Sequence, residues 1–387
     1  MKEKKISGRE KMLGAFTGSG ALVSAAVVAL GFLAGTVLVI AVGRNPSGMY
    51  SSIVQVVTGW DIGRGTHNAR YIGEWIVASL PLILCGLSMG FAAKTGLFNI
   101  GAEGQYVAGL TAAQLVGLFG PPVPVLHWAL ACLAAVAAGA AWGGVSGFLK
   151  AKFSVSEVVS TIMMNYIAFY ASRCIMMRVP GANTYRTPNF PETARLSNSF
   201  LESLTNGSRL NLGLYLTVAA TLAYWIVMGK TTLGYSLRAT GLNKDAARYG
   251  GINVHASITA AMAISGAFAG LAGAVVSLGV FSYGRILSAQ EGYGFDGIAV
   301  ALVGNSAAFG IALSGLLFGM LKSAQPLMQS RQIPKEIASI IIGLVVIFIS
   351  LRAGVKLLVE WRAKAALLPR SQGGISSTNS KAKETAT

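Results

Sequence analysis

Residues 257–281 read SITAAMAISGAFAGLAGAVVSLGVF, a long run without a single Asp, Glu, Lys or Arg. The hydrocarbon core of a bilayer is about 30 Å thick, so a helix rising about 1.5 Å per residue needs roughly 20 apolar residues to cross it. This run therefore predicts a membrane-spanning helix. Further apolar runs that reach or approach this length lie at 21–42, 75–93, 105–120, 125–149, 156–176, 211–229, 306–321 and 336–351.

The composition of the whole chain supports the same class. Of its 387 residues 53% are apolar and only 12% are charged, and its mean hydropathy is +0.59. A soluble domain carries roughly 25% charged residues, so the chain has about half of that share. The formal net charge is +17, but the basic residues lie between apolar runs rather than on one polar surface. The pattern excludes a soluble enzyme and a nucleic-acid-binding protein, and favours a polytopic membrane protein.

The distribution of basic residues predicts the number of spans. Lys and Arg accumulate in cytoplasmic loops and tails of membrane proteins. With the N-tail in the cytoplasm, nine spans would place the basic C-tail outside, whereas ten place both tails inside, with 19 of the 31 basic residues. We therefore expect an all-α polytopic membrane protein of about ten transmembrane helices. The tenth is the short piece 297–304, as part of a broken or re-entrant helix.

The predicted organisation is one transmembrane domain between two basic tails, with no second soluble domain. The N-tail covers residues 1–20 and the membrane domain 21–352; the tail 353–387 is polar, basic and typical of disorder. Within the membrane domain we expect a cytoplasmic loop at 230–256 and extracytoplasmic loops rich in turn residues at 43–72 and 177–210.

Two glycine-rich stretches place polar side chains next to apolar runs. One is Lys94 to Gln105 (KTGLFNIGAEGQ), and the other is Glu291 to Gly297 (EGYGFDG), followed by Gly304-Asn305-Ser306. Ionisable groups are costly in a membrane, and broken helices at corresponding places in two halves of a chain are typical of a transport pathway. Turns at helix ends with solvated carboxylates are the alternative. Asn165, inside an apolar run, fits an interhelical hydrogen bond better than a ligand contact.

Small residues and the cytoplasmic loop suggest two further features. Four glycine pairs with four-residue spacing predict close helix packing, and they are Gly86–Gly90, Gly143–Gly147, Gly266–Gly270 and Gly315–Gly319. In the loop 230–256, Asn243 is suited to cap a short helix Lys244–Tyr249, which a soluble partner could push. An ordinary basic loop on anionic lipid is the alternative.

The chain has no recognisable nucleotide, metal or catalytic site. Gly229-Lys230-Thr231 resembles the end of a phosphate-binding loop, but Tyr224 stands where that loop needs glycine. Three cysteines and three histidines without ligand spacing predict neither a disulfide framework nor a metal site. We expect no cofactor on this chain.

Five motifs together resemble the permease subunits of bacterial ABC importers for ribose-type sugars and branched-chain amino acids, and most of all the nucleoside importer permeases. They occur in collinear order between about residues 20 and 352, and are GLFNIGAEGQ (96–105), SEVVSTIMMNYI (156–167), LRATG (237–241), ISGAFAGLAGA (264–274) and GFDGIAVAL (294–302).

The resemblance implies a type II ABC importer-like fold in the bacterial cytoplasmic membrane, with both termini cytoplasmic. It also implies a second homologous permease, two cytoplasmic ATPases that use the ATP, an extracytoplasmic binding protein or lipoprotein, and alternating access. The residues expected along the substrate pathway are Asn99, Glu103, Gln105, Asn165, Phe295, Asp296 and Asn305. Those expected to couple to the ATPase are Arg238, Gly241, Asn243, Lys244, Arg248 and Gly250.

The solute remains open at this level. Simple sugars, riboflavin and branched-chain amino acids are alternatives to nucleosides because related permeases share much of the pattern. A stand-alone secondary transporter that uses Glu103 and Asp296 as ion sites is the alternative from another class.

Overall fold

Each of the nine apolar runs is helical in the computed structural model, which describes residues 20–350. The expected basic tails lie outside the described residues, apart from Gly20. In chain order the elements are α1 (Gly20–Ala41), α2 (Ser47–Thr58), β1 (Trp60–Asp61), β2 (Thr66–His67), α3 (Arg70–Lys94), α4 (Ala102–Phe119), α5 (Leu126–Phe153), α6 (Glu157–Met176), β3 (Arg186–Asn189), a 3-10 turn (Glu192–Ala194), α7 (Ser199–Leu204), α8 (Gly213–Lys230), α9 (Thr232–Leu242), α10 (Lys244–Tyr249), α11 (Val254–Val280), β4 (Tyr283–Arg285), α12 (Tyr293–Val303), α13 (Ala308–Ser330) and α14 (Glu336–Ser350).

The chain is a mostly helical, polytopic membrane protein. Six of the described helices are long and apolar enough to cross a bilayer: α3, α5, α6, α8, α11 and α13. The described apolar part of α1, Val28–Ala41, is shorter, as are Glu336–Phe348 of α14 and the whole of α12. With 11 residues, α12 reaches only part of the way through a hydrocarbon core.

The helix ends lie on two opposite faces of the molecule, as contacts between the loops show. We call the face that carries residues 231–253 the α9 face. Near it His255 Nδ1 lies 2.5 Å from the carbonyl oxygen of Ala151. The hairpin face carries the antiparallel pair β1–β2 and the segment 177–212. On that face Arg209 forms an ion pair with Glu74 at 2.5 Å.

The segment between α11 and α13 runs from one face to the other. At its start β4 pairs antiparallel with β3 on the hairpin face. At its end the Tyr224 hydroxyl donates to the carbonyl oxygen of Ser306 at 2.8 Å, near the end of α8 that leads into the α9 face. The short helix α12 therefore lies within the protein thickness and ends towards the α9 face.

Glycine contacts set the packing at the centre of the helix assembly. A Cβ added to Gly266 of α11 would overlap the carbonyl oxygen of Gly139 in α5, and one added to Gly270 would overlap that of Ala135. Such approaches bring helix backbones together where apolar surface alone provides no driving force between helices. All four predicted glycine pairs lie at helix contacts, since Gly143 and Gly147 also meet α11, while Gly86, Gly90, Gly315 and Gly319 lie where α3 meets α12 and α13.

The loop 43–72 differs from its prediction as a chain of turns. Residues Ser47–Thr58 form α2, a three-turn helix that buries Met49, Gln55 and Val56 against the rest of the chain. Arg331 at the end of α13 donates to the side-chain oxygen of Gln55 at 2.8 Å. The turn residues at both ends of the loop gave no sign of this helix. Its burial depends on a partner nearly 280 residues away, which no local pattern indicates.

The glycine packing predicts a contrast between two neighbouring positions of α5. Gly139→Ala should lower the free energy of unfolding by about 1–3 kcal/mol, because its methyl group has no space beside Gly266. The matched control is Gly144→Ala, whose Cβ would lie 3.6 Å from Ala263 Cβ, an ordinary contact. Thermal unfolding of the detergent-purified variants measures the effect. Equal melting temperatures would contradict this packing account.

Candidate functional site

The two glycine-rich stretches meet at the carboxylate of Glu103. This side chain is fully buried at the start of α4. It accepts hydrogen bonds from the backbone N–H groups of Gly292, at 2.8 Å, and Gly294, at 2.7 Å. The first N–H groups of a helix lack partners within the helix and carry its positive dipole end, so a carboxylate there is stabilising. Glu103 thereby anchors the start of the short helix α12.

The close contact between the start of α12 and the backbone of Glu103 requires glycine at position 294. A Cβ at this position would overlap the backbone nitrogen of Glu103. Gly297, one turn further on, meets the backbone of Cys85 in α3 in the same way. The glycines of the sequence GYGFDG therefore fit α12 between α3 and α4.

A buried network of polar side chains holds the break between α3 and α4. Asn99 Nδ2 donates to Gln105 Oε1 at 2.9 Å and to Ser265 Oγ at 2.7 Å. Gln105 Nε2 returns a bond to Asn99 Oδ1 at 3.1 Å. Ser265 Oγ also lies 3.0 Å from Ser88 Oγ, so the network joins the break to both α3 and α11. Each member is at most 1% exposed, and buried polar groups are stable only when paired in this way.

Asn165 links the same break to α6. Its Oδ1 accepts the backbone N–H of Gly104 at 2.8 Å, and its Nδ2 donates to the carbonyl oxygen of Ile100 at 3.1 Å. The Ile100 carbonyl lies in the break between α3 and α4, and the Gly104 N–H lies in the first turn of α4. The side chain forms the interhelical hydrogen bond that its position in an apolar run suggested.

The other three expected pathway residues lie at or near the chain's surface, along α12. Phe295 is 41% exposed and Asn305 is exposed, with a left-handed φ of +53°. Asp296 is half-buried and forms an ion pair with Lys322 of α13 at 2.5 Å. The expected pathway set thus divides into four buried residues around the break, two residues on α12, and Asn305 just beyond the end of α12.

The expected coupling residues lie together on the α9 face. Asn243 caps α10 as predicted, accepting from the N–H groups of Asp245 at 2.9 Å and Ala246 at 3.0 Å. Arg238, Lys244, Arg248 and Gly250 are all exposed. Leu242 and Tyr249, which lie among them, are 89% and 96% exposed, the highest values of any large hydrophobic side chain in the described residues.

Gly241 connects the α9 face to the break. A Cβ at Gly241 would lie 2.7 Å from the carbonyl oxygen of Lys94, and one at Gly96 would lie 3.0 Å from that of Gly241. Gly96 itself has a φ of +72°, which favours glycine. The end of α9 therefore contacts the backbone of residues 94–96, at the start of the break that carries Asn99.

Sequence reasoning missed three residues of this arrangement. Lys322 is a lone cation just beyond an apolar run, a signal that could have predicted its acidic partner. Ser88 and Ser265 carry no such signal, because serine is unremarkable in a membrane helix and the two lie 177 positions apart.

Comparisons with known proteins show which family the chain resembles. The sequence model of the family described as "Branched-chain amino acid transport system / permease component" matches residues 71–350. The chain is 40% identical over 330 residues to the guanosine ABC transporter permease protein NupP of Bacillus subtilis, covering 85% of this chain and 92% of NupP. It is 34% identical over 351 residues to the nucleoside ABC transporter permease protein NupB of Lactococcus lactis, covering 89% of this chain and 94% of NupB.

A third relative is named for a different solute, glucose. The glucose ABC transporter permease protein TsgB13 of Haloferax volcanii is 34% identical over 289 residues, covering 71% of this chain and 75% of TsgB13. No solved structure matches the chain.

The Glu103 contact predicts the effect of one conservative substitution. Glu103→Gln replaces one acceptor oxygen by an NH2 donor, so one of the two amides at the start of α12 loses its partner. We expect a loss of about 1–3 kcal/mol in local stability and faster hydrogen–deuterium exchange in a peptide covering 292–296. Glu192→Gln, at an exposed position on the hairpin face, is the control. Unchanged exchange in the Glu103 variant would show that the carboxylate does not hold α12.

Proposed function

The chain belongs to the family of branched-chain amino acid transport system permease components, and we propose that it is the membrane-spanning subunit of an ABC importer for nucleosides. The observation that carries the proposal is the 40% identity to a guanosine permease over 85% of this chain and 92% of that permease. A nucleoside permease from a second organism supports the same solute class.

We propose ten membrane crossings in a type II importer-like arrangement, with one domain over 21–352. Nine crossings follow the apolar runs, and the tenth is the segment 283–305, which contacts the hairpin face at one end and the α9 side at the other. Ten crossings place both basic tails, 1–20 and 353–387, with the α9 face in the cytoplasm. The excess of basic residues on these segments supports that orientation.

The surface along α12 is the proposed pathway. Asp296, Lys322 and Asn305 are polar and partly or fully exposed on a membrane-embedded part of the chain, where contact with lipid would be costly. A water-filled path beside a second, homologous permease removes that cost. In this arrangement the residues that face the pathway are Phe295, Asp296 and Asn305. The buried residues do not face it but hold the break and α12 in position, and they are Asn99, Glu103, Gln105 and Asn165.

The α9 face is the proposed contact with the ATPase subunits. Arg238, Lys244 and Arg248 supply positive charge, while exposed Leu242 and Tyr249 supply apolar surface for a protein partner. Movement of α9 would reach the pathway through Gly241, which rests on the segment 94–96. ATP is hydrolysed by those subunits, and an extracytoplasmic binding protein or lipoprotein delivers the solute for alternating access.

A sugar is the second candidate solute. The glucose permease of Haloferax is 34% identical to this chain, the same value as the Lactococcus nucleoside permease but over a shorter match. The greater coverage and the higher identity to NupP favour a nucleoside.

The test is uptake by the complete importer in cells that lack other nucleoside transporters. Tritiated guanosine should accumulate, and unlabelled guanosine should compete with it while glucose should not. Depletion of ATP should abolish uptake, whereas a protonophore at constant ATP should not, because the energy comes from ATP. Uptake of glucose alone would favour the second candidate. Uptake driven by the proton gradient would indicate a secondary transporter.

The same assay tests the α9 face. Arg238→Glu reverses an exposed charge and should leave expression and the basal ATPase activity of the complex intact while abolishing uptake. Arg64→Glu, the same change at an exposed position on the hairpin face, is the control for charge reversal itself. Normal uptake by the Arg238 variant would count against the proposed coupling contact.

A further inference from the structure

A cavity among the described residues lies towards the hairpin face, away from the α9 face. Its volume is about 560 Å³, within the range of small-molecule sites. It lies among α3, the end of α11, the segment 281–293 and α13.

Arg70, exposed at the edge of this cavity, forms no ion pair among the described residues, and the other charged side chains of the cavity are paired. Arg209 contacts Glu74 at 2.5 Å, and Arg285 contacts Glu291 both through a short bond and through a second one at 2.8 Å. Lys322 is paired with Asp296. Paired charges present strong hydrogen-bond donors and acceptors while contributing little net charge. They suit a neutral, polar solute better than an ion.

Aromatic rings stand beside these ion pairs. The Arg285 guanidinium carbon lies 4.2 Å from the ring centre of Phe281, and the Lys322 nitrogen lies 4.9 Å from that of Tyr293. Tyr71 adds a third ring to the wall. Rings next to donors and acceptors fit a compound that joins a flat ring system to hydroxyl groups.

One donor in the wall has no partner within the chain. Arg285 Nε is buried and makes no hydrogen bond, although the terminal nitrogens of the same guanidinium bind Glu291 and Tyr106. Buried polar groups are nearly always paired, by protein, water or a ligand. An acceptor oxygen or ring nitrogen of a bound solute would complete this group.

We propose that this cavity is a solute-binding subsite within the single chain, for a neutral compound that joins a flat ring to hydroxyls. The inference rests on the proposed function, under which the compound is a nucleoside. Its ribose hydroxyls would donate to the carboxylates of Glu74 or Glu291 and its base would stack on the aromatic wall. Arg285 Nε would donate to an acceptor of the solute.

The decisive variants are two changes in the wall of the cavity, each with a matched control. Arg285→Lys keeps the positive charge but removes the free donor, and Arg186→Lys makes the same change in β3, outside the cavity. Ala78→Leu places a larger side chain in the cavity, and Ala141→Leu makes that change at an exposed position of α5. Initial rates of tritiated guanosine uptake by the complete importer give KM and the maximal rate.

We expect Arg285→Lys to raise KM about tenfold, the effect of one lost hydrogen bond to a charged group, with little change in the maximal rate. Ala78→Leu should raise KM as well, and both controls should keep the KM of the unmodified importer. Basal ATPase activity shows that each variant is assembled.

Two results separate the failure of this inference from that of the proposed function. If the unmodified importer takes up no nucleoside, the proposed function is wrong. If it takes up guanosine and both cavity variants keep the unmodified KM, the cavity is not a subsite for the solute.

Discussion

The hydrogen bonds from Gly292 and Gly294 to the Glu103 carboxylate are the interaction on which the arrangement of the two broken segments depends. Within a bilayer every backbone N–H and C=O group needs a partner inside the protein, because lipid offers none. This chain interrupts its helices at 95–101 and at 281–292. Glu103 accepts two backbone N–H groups at the second interruption, and the side chains of Asn99 and Asn165 pair three backbone groups at the first. The polar side chains at these breaks therefore have a structural role before any role in transport.

Close packing of glycines extends this arrangement in both directions. Gly294 and Gly297 fit α12 between α3 and α4, while Gly266 and Gly270 bring α11 against α5. Gly241 brings the end of α9 onto the backbone of the first break. A continuous line of contacts thus runs from the exposed α9 face through 94–105 to α12. The proposed coupling uses that line.

Local features of the sequence were predictable, and long-range pairings were not. Length and hydropathy located the nine helices. Asn243 gave the start of α10 and the glycines after Tyr249 gave its end, because these signals lie within a few residues of the helix. The bond from Glu103 to the amides of Gly292 and Gly294 joins segments about 190 positions apart, and no local pattern encodes it. For the same reason the sequence predicted seven pathway residues as one set. Burial divides them into two groups. Asn99, Glu103, Gln105 and Asn165 lie within the protein, whereas Phe295 and Asp296 lie on α12 and Asn305 just beyond its end.

The central claim is that the surface of α12 lines an aqueous pathway, and thiol accessibility tests it most directly. Phe295→Cys and Leu313→Cys, each in a chain whose three native cysteines are replaced by alanine, would be treated with a membrane-impermeant maleimide in the complete importer. Leu313, 70% exposed on α13 and outside the proposed pathway, is the control for an exposed apolar position on a membrane-spanning helix. Maleimides react with thiolates, which form in water rather than in lipid. The account predicts labelling at position 295 that changes when ATP is bound, and none at 313. Equal resistance of both positions, with and without ATP, would contradict it.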